Sequence, residues 1–318
     1  MFMNIISFFV ILFYLVTAPL LEASNFSQKD STDPLILKND FSIGAHPYYE
    51  KKGKKSPPSR KLNRTILPET SETLAIVDLL KTYQPFLKNK PISLVRLGRN
   101  YDGGYAIPHL AMERADVLLG YGISNDISFE DSAAEIYGVQ SFGFDGTCAQ
   151  INPQSDRCVF IPYNIESKVS SAYSQFPSLT FEEQLKMFNL QNKKMFIKMD
   201  IEGGEYNSLH EILDHQKNIT GIVLEIHFCA DDELSKALRL MQAINKNFLL
   251  VHVHGNNYCT DFFKTSMSKG LITRVLELTY INRNLVDYCQ LSPSQRHPLP
   301  IDQRNNPHIR DVVFSINH

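Results

Sequence analysis

The chain of 318 residues contains no tryptophan. That excludes Trp stacking platforms and Trp-based cages, although 20 Phe and 14 Tyr leave ample aromatic material for a core. Its five cysteines, Cys148, Cys158, Cys229, Cys259 and Cys289, include no Cys-x-x-Cys pair and no zinc-ligand spacing. No global charge excess exists. The 32 basic and 34 acidic residues leave a net charge of −2 and a pI near 6.6, so nothing global points to nucleic acid as a partner. No internal repeat is visible. Hydrophobic residues at 43% and charged residues at 21% exclude wholesale disorder.

Charge is also missing from one local stretch, Ile5 to Leu21. Its 17 residues fall between the roughly 7–15 of a signal-peptide core and the roughly 20 of a spanning helix. Met1–Asn4 carries no Lys or Arg, and Leu21-Glu22-Ala23 before Ser24 is a tolerable cleavage site. Residues 1–23 are therefore expected to be a signal peptide or signal anchor. The remainder of the chain would then lie in the secretory pathway, secreted or within the ER or Golgi lumen, with this segment its only membrane contact. Residues 24–68 lack a sustained period, and the basic run Lys51 to Lys61 is broken by Pro57 and Pro58. They read as a disordered stem. Sequons at Asn25, Asn63 and Asn218 permit glycosylation. In an oxidising lumen Cys148 could pair with Cys158, and Cys259 with Cys289; buried reduced thiols are the alternative.

From residue 69 to 318 the pattern becomes globular. Thr70 or Ser71 starts a helix that Pro85 ends. Short apolar runs then alternate with helical ones: Val117–Leu119, Val139–Phe144, Cys158–Ile161, Met195–Met199 and Gly221–Ile226 read as strands. Phe248–His254 and Arg274–Ile281 lack enough apolar helix between them for a parallel crossover and should pair antiparallel. This predicts a doubly wound α/β sheet with a reversed edge. Ligands of such sheets bind at the carboxyl ends of the strands. Gly120 and Gly122, Asp145, Asp200 and Glu202, and Glu225 and His227 all stand at those ends, so one rim should gather them.

The Gly120-Tyr121-Gly122 turn permits close backbone approach to a ligand. Asp145 lies 23 positions beyond Gly122, where an acidic residue accepts hydrogen bonds from a ribose. Asn125 stands where a dinucleotide fingerprint needs its third glycine. A cofactor with a ribose but no diphosphate fits better, namely S-adenosylmethionine.

The segment Lys198-Met-Asp-Ile-Glu-Gly-Gly-Glu205 resembles the K-x-D-x-E-G-x-E block of FkbM-like, S-adenosylmethionine-dependent methyltransferases. The blocks Val95-Arg-Leu-Gly98, Asp102-Gly-Gly-Tyr105, Tyr121 to Glu130, Glu225-Ile-His227 and Val275 to Tyr280 are similar to those of a eukaryotic branch that includes methyltransferase-like secretory proteins. The resemblance spans about residues 69 to 290. It implies a class I methyltransferase (Rossmann-like) fold, with the cofactor over Gly120, Tyr121 and Gly122, Asp145 on its ribose, and Glu130 as a first-helix contact. The turn at Asp102 and Gly103 either folds over the cofactor or is a plain hairpin turn.

Methyl transfer to a hydroxyl needs an oriented acceptor and a proton acceptor. His227 is the candidate base, because imidazole titrates near neutrality. Asp200 and Glu202 could orient the acceptor or bind a divalent cation, or could simply favour the following helix N-terminus; no residue is assigned to a metal. Lys198 shares a strand face with Asp200. His252 and His254 read as ordinary strand histidines, while Glu277 and Tyr280 could shape the acceptor pocket. The expected function is O-methylation of a glycan or small molecule. A non-catalytic binding module on the same fold is the alternative, and a nicotinamide-dependent oxidoreductase is disfavoured by the missing glycine.

Overall fold

The computed structural model describes residues 65–84, 86–87, 90–148, 150–167, 177–229, 231–286, 289–290 and 294–317. The expected signal segment, the stem as far as residue 64, the sequons at Asn25 and Asn63 and the side chain of Cys289 lie outside them. All described residues belong to the compact unit Ser56–His318. Among them, no helix is long and apolar enough to cross a membrane.

Seven strands form the central sheet: β1 (Val117–Tyr121), β2 (Gln140–Phe144), β3 (Cys158–Ile161), β4 (Met195–Met199), β5 (Ile219–His227), β6 (Phe248–Gly255) and β7 (Val275–Asn282). Their order is β3-β2-β1-β4-β5-β7-β6. Neighbours are parallel from β3 to β5, and β7 is antiparallel to both β5 and β6. Every residue of β1 and β4 is buried. A sheet covered on both faces leaves no solvated side to select polar residues, which is why these strands read as continuous apolar runs.

The expected antiparallel pairing of the last two strands is present, but the reversal is not at the sheet edge. β6 is the edge strand and runs with β5; the reversed β7 lies between them. The 15-residue helix Asp231–Asn245 carries the chain from β5 past one vacant position to β6. β7 then fills the gap.

The helices are α1 (Ser71–Leu80), α2 (His109–Glu113), α3 (Ser128–Tyr137), α4 (Phe181–Met187), α5 (Glu205–Leu213) and α6 (Asp231–Asn245). Alternate strand residues divide the core. Leu119, Ile197 and Leu224 join α1, α4, α5 and α6 on one face. Leu118, Phe196 and Val223 meet α2 and α3 on the other, together with a hairpin of Leu94–Leu97 and Tyr105–Pro108. Local signals set the helix starts. Thr70 caps α1 and accepts a bond from the Thr73 N–H, and Thr180 caps α4 in a reciprocal box with Glu183.

Two local features bear on the stem boundary and on the cysteines. The folded body begins before residue 69, because Thr65–Leu67 pairs in parallel with Asp261–Phe263; a three-residue strand is too short to show a period. Cys148 and Cys158 are both free thiols. The Cys148 Sγ contacts the Ser124 carbonyl at 2.6 Å instead.

Candidate active site

The carboxyl ends of β1, β2 and β4 open into a cleft of about 730 Å³. Its walls include Asp102, Gly103, Tyr121, Gly122, Asp145, Asp200 and Glu202. Residues up to 100 positions apart thus converge as the rim argument expects. Gly120 and His227 are not on the wall; each lies behind a residue that is.

The glycines of the first turn serve the protein's own packing. Gly122 has φ of +78°, and a Cβ there would fall 1.6 Å from the Asp200 carbonyl oxygen. A Cβ on Gly120 would fall 2.0 Å from Glu130 Oε1. The bare backbone therefore lets the β1 and β4 turns touch and lets the Glu130 carboxyl lie against β1. Lys198 ties the same turn, its Nζ donating to the carbonyls of Gly122 (2.8 Å) and Tyr121 (3.3 Å). It makes no ion pair with Asp200 among the described residues.

Asp145 ends β2 and is largely committed. Its Oδ2 accepts the Ser124 N–H at 2.6 Å, and its Oδ1 accepts the Thr147 N–H (2.8 Å) and hydroxyl (2.5 Å). A carboxylate has about four acceptor positions, so one further donor fits. Glu130, on α3, is buried and also lines the cleft. Its Oε1 has no hydrogen-bond partner, and burial pushes its pKa up to about 7 against the pull of the Lys198 charge. An unpartnered buried carboxyl facing a cleft suits a cationic ligand group.

The Asp102-Gly103 turn is both a hairpin turn and a cleft wall. Arg96 holds it by donating to the carbonyls of Arg99, Tyr101 and Gly104. Arg99 Nε pairs with Asp126 Oδ2 at 3.0 Å beneath it. Burial raises the Asp102 pKa.

Asp200 and Glu202 follow β4. The Tyr105 hydroxyl donates to Asp200 Oδ2 at 2.8 Å, while Asp200 Oδ1 has no partner. Glu202 has φ of +54°, a region few side-chain-bearing residues adopt. Its Oε2 lies 3.2 Å from His227 Nε2. His227 is caged further by Glu225 Oε1, 3.3 Å from Nε2, and by Glu205 Oε1, 3.5 Å from Nδ1. Burial alone would favour neutral imidazole. Hydrogen bonds and charge from Glu205 and Glu225 outweigh it and push the pKa up to about 11. These carboxylates hold a proton on the imidazole and so weigh against His227 as the general base proposed from the sequence.

His252 and His254 are hydrogen-bonded to carboxylates inside the structure. His252 Nε2 lies 2.7 Å from Asp302, and His254 sits between Glu277 (3.0 Å) and Asp311 (3.2 Å). Glu277 and Tyr280 are buried away from the cleft, so they do not shape it. Sequence pattern gave no sign of the C-terminal segment's part. Gln303 accepts the Tyr101 N–H, and Asn305 donates to both Asp102 and Glu277, bracing the hairpin from behind. No periodicity marks that stretch. Tyr105 and Glu205, by contrast, lie inside the family-like blocks, and the resemblance by itself gives them no role.

The model of the FkbM methyltransferase domain matches residues 41–255, more than half of the chain. No curated protein and no solved structure matches it. The chain belongs to the FkbM methyltransferase-domain family.

Proposed function

We propose that this FkbM-family chain binds S-adenosylmethionine in the cleft and transfers its methyl group to a hydroxyl oxygen of a glycan or small molecule. One observation carries the reading. Asp145 and the orphaned Glu130 carboxyl face a single cleft from either side of the β1 turn, and their chemistry fits a ribose and a cationic group. When bound, the cofactor supplies a methyl carbon activated by a sulfonium.

Asp145 would bind the ribose with its remaining acceptor position, and Glu130 would neutralise cationic charge. Tyr105 fixes the Asp200 carboxylate by one oxygen and leaves the other free. Asp200 and Glu202 then orient the acceptor hydroxyl. The hydroxyl proton would pass to this carboxylate pair as the acceptor oxygen takes up the methyl group. His227 lies behind Glu202, 3.2 Å from its Oε2, and holds that carboxylate in place. Polar neighbours on the same wall, Asn207 and Ser208, suit an acceptor rich in hydroxyls. The uncharged run Ile5–Leu21 supports a secretory setting.

Calorimetric titration of the chain with S-adenosylmethionine tests the cofactor claim. One equivalent should bind, and Asp145→Ala should abolish the heat. A folded chain that gives no heat would sink the claim, and equal binding of NAD would favour the oxidoreductase. The alternative of a non-catalytic module finds less support, because the cleft is not filled by side chains. It would gain ground if the cofactor bound but no labelled methyl ever left it.

A further inference from the structure

Asp200, Glu202 and His227 each present one ligand atom, and these atoms lie within 4.8 Å of one another. A rim cluster of this kind says little by itself. Two side chains behind it say more. Glu225 is 5% exposed and Glu205 is fully buried, and in each the Oε2 has no hydrogen-bond partner. Their other oxygens are engaged: Glu225 Oε1 accepts from Asn256 and Glu205 Oε1 from the Ile201 N–H, and both also face His227. Asp200 Oδ1 adds a third orphaned oxygen.

A buried carboxylate oxygen without a partner is costly to leave so. A bound cation would relieve three of them within one cluster. Lys198, the nearest lysine on the strand, spends its ammonium on the carbonyls of Tyr121 and Gly122. Four carboxylates therefore surround one imidazole.

We propose that Asp200, Glu202 and His227 form a divalent-cation site, with Glu205 orienting His227 through Nδ1 from behind and Glu225 Oε1 beside the ligating Nε2. Metal-bound histidines are held in this way by carboxylates. Two carboxylate oxygens and one imidazole nitrogen make a donor set of intermediate hardness. It fits Mn2+ better than Ca2+, which prefers oxygen throughout, or Cu+, which prefers sulfur. Three protein ligands leave positions open for water or for an acceptor oxygen. The binding claim stands apart from the methyl-transfer reading. Its catalytic consequence rests on that reading: an acceptor hydroxyl on the metal would lose its proton more readily.

The test titrates the whole chain, stripped with EDTA and dialysed, with MnCl2. The electron paramagnetic resonance signal of free aqueous Mn2+ is followed. One equivalent should bind. Glu202, with its side chain 83% exposed, can be changed to Gln without threatening the fold. Glu202→Gln should weaken binding at least about tenfold, the loss that removing even an outer-shell partner brings. Nitrogen modulation of the bound signal should appear and should vanish in His227→Ala. Asp145→Ala should lose S-adenosylmethionine binding and keep Mn2+, which separates failure of this site from failure of the cofactor reading. Absence of bound Mn2+, or binding unaffected by Glu202→Gln, would overturn the assignment.

Discussion

His297 offers a worked test of how this core tolerates acid. The ring is completely buried, stacked on Phe314 at 5.0 Å and edge-on to Tyr83 at 5.4 Å. Burial, reinforced by the nearby His252 charge, lowers its pKa from 6.5 to about 4. As pH falls below 6.5 the unfolded chain takes up a proton that the folded chain refuses. Stability is therefore present above pH 6.5 and is lost progressively down to about pH 4. Each pH unit in that window is worth about 1.4 kcal/mol, so the loss reaches about 3 kcal/mol. Other groups behave differently there. His227 and His254, whose pKa values are raised, are charged in both states below 6.5 and contribute a constant amount. Asp302 is lowered: burial opposes this, but His252 prevails, and its contribution fades only below 3.8. Glu130, raised to about 7, takes up its proton first in the folded state and gains stability on acidification. The wild-type slope is thus a sum, and a difference isolates the histidine. The assay is urea denaturation followed by circular dichroism, since no tryptophan serves as a probe, at pH 7, 6, 5 and 4.5, for wild type and His297→Phe. The Phe variant should differ little at pH 7, being close in volume, and should outlast wild type increasingly below pH 6. Parallel profiles would refute the reasoning.

Gly122→Ala should lower the melting temperature and remove S-adenosylmethionine heat, because the left-handed backbone alone costs about 1–2 kcal/mol and the Cβ meets Asp200; intact binding would be the contrary result. Tyr105→Phe frees Asp200 Oδ2 and should lower turnover while leaving cofactor affinity unchanged, as seen by comparing rate with calorimetry. Thr180→Ala removes the α4 cap and should cost about 1 kcal/mol of unfolding free energy. Alkylation in denaturant without reductant should place an adduct on both Cys148 and Cys158, read by peptide mass.

Much of the fold was legible because its signals are local. Thr180 with Glu183 announces α4, and the apolar runs at Val117 and Met195 announce buried parallel strands. The position of β7 was not legible. Sequence pattern reports a strand's burial and its pairing partner far better than its slot in the sheet. At the site, Asp145, Asp200 and Glu202 were found because polar residues ending apolar strands must converge at one rim. The charge state of His227 was not. It depends on Glu205, five residues beyond Asp200 at the start of α5, and on Glu225, two residues back along β5, and only three-dimensional proximity sums their effects. The bracing of Asp102 by Asn305 spans about 200 residues without any periodic trace.

The placement of β7 also has a bearing on synthesis. While the chain emerges from the ribosome, β5 is complete at residue 227 and β6 at residue 255. Neither can be paired on its facing edge until residue 275 and beyond has been made. For that interval, several seconds at about 5–20 residues per second, two apolar strands border an empty slot. Open edges of this kind recruit strands from other chains. A product that stops short of residue 275 would keep both edges permanently, so premature termination should yield aggregates and not a smaller soluble domain.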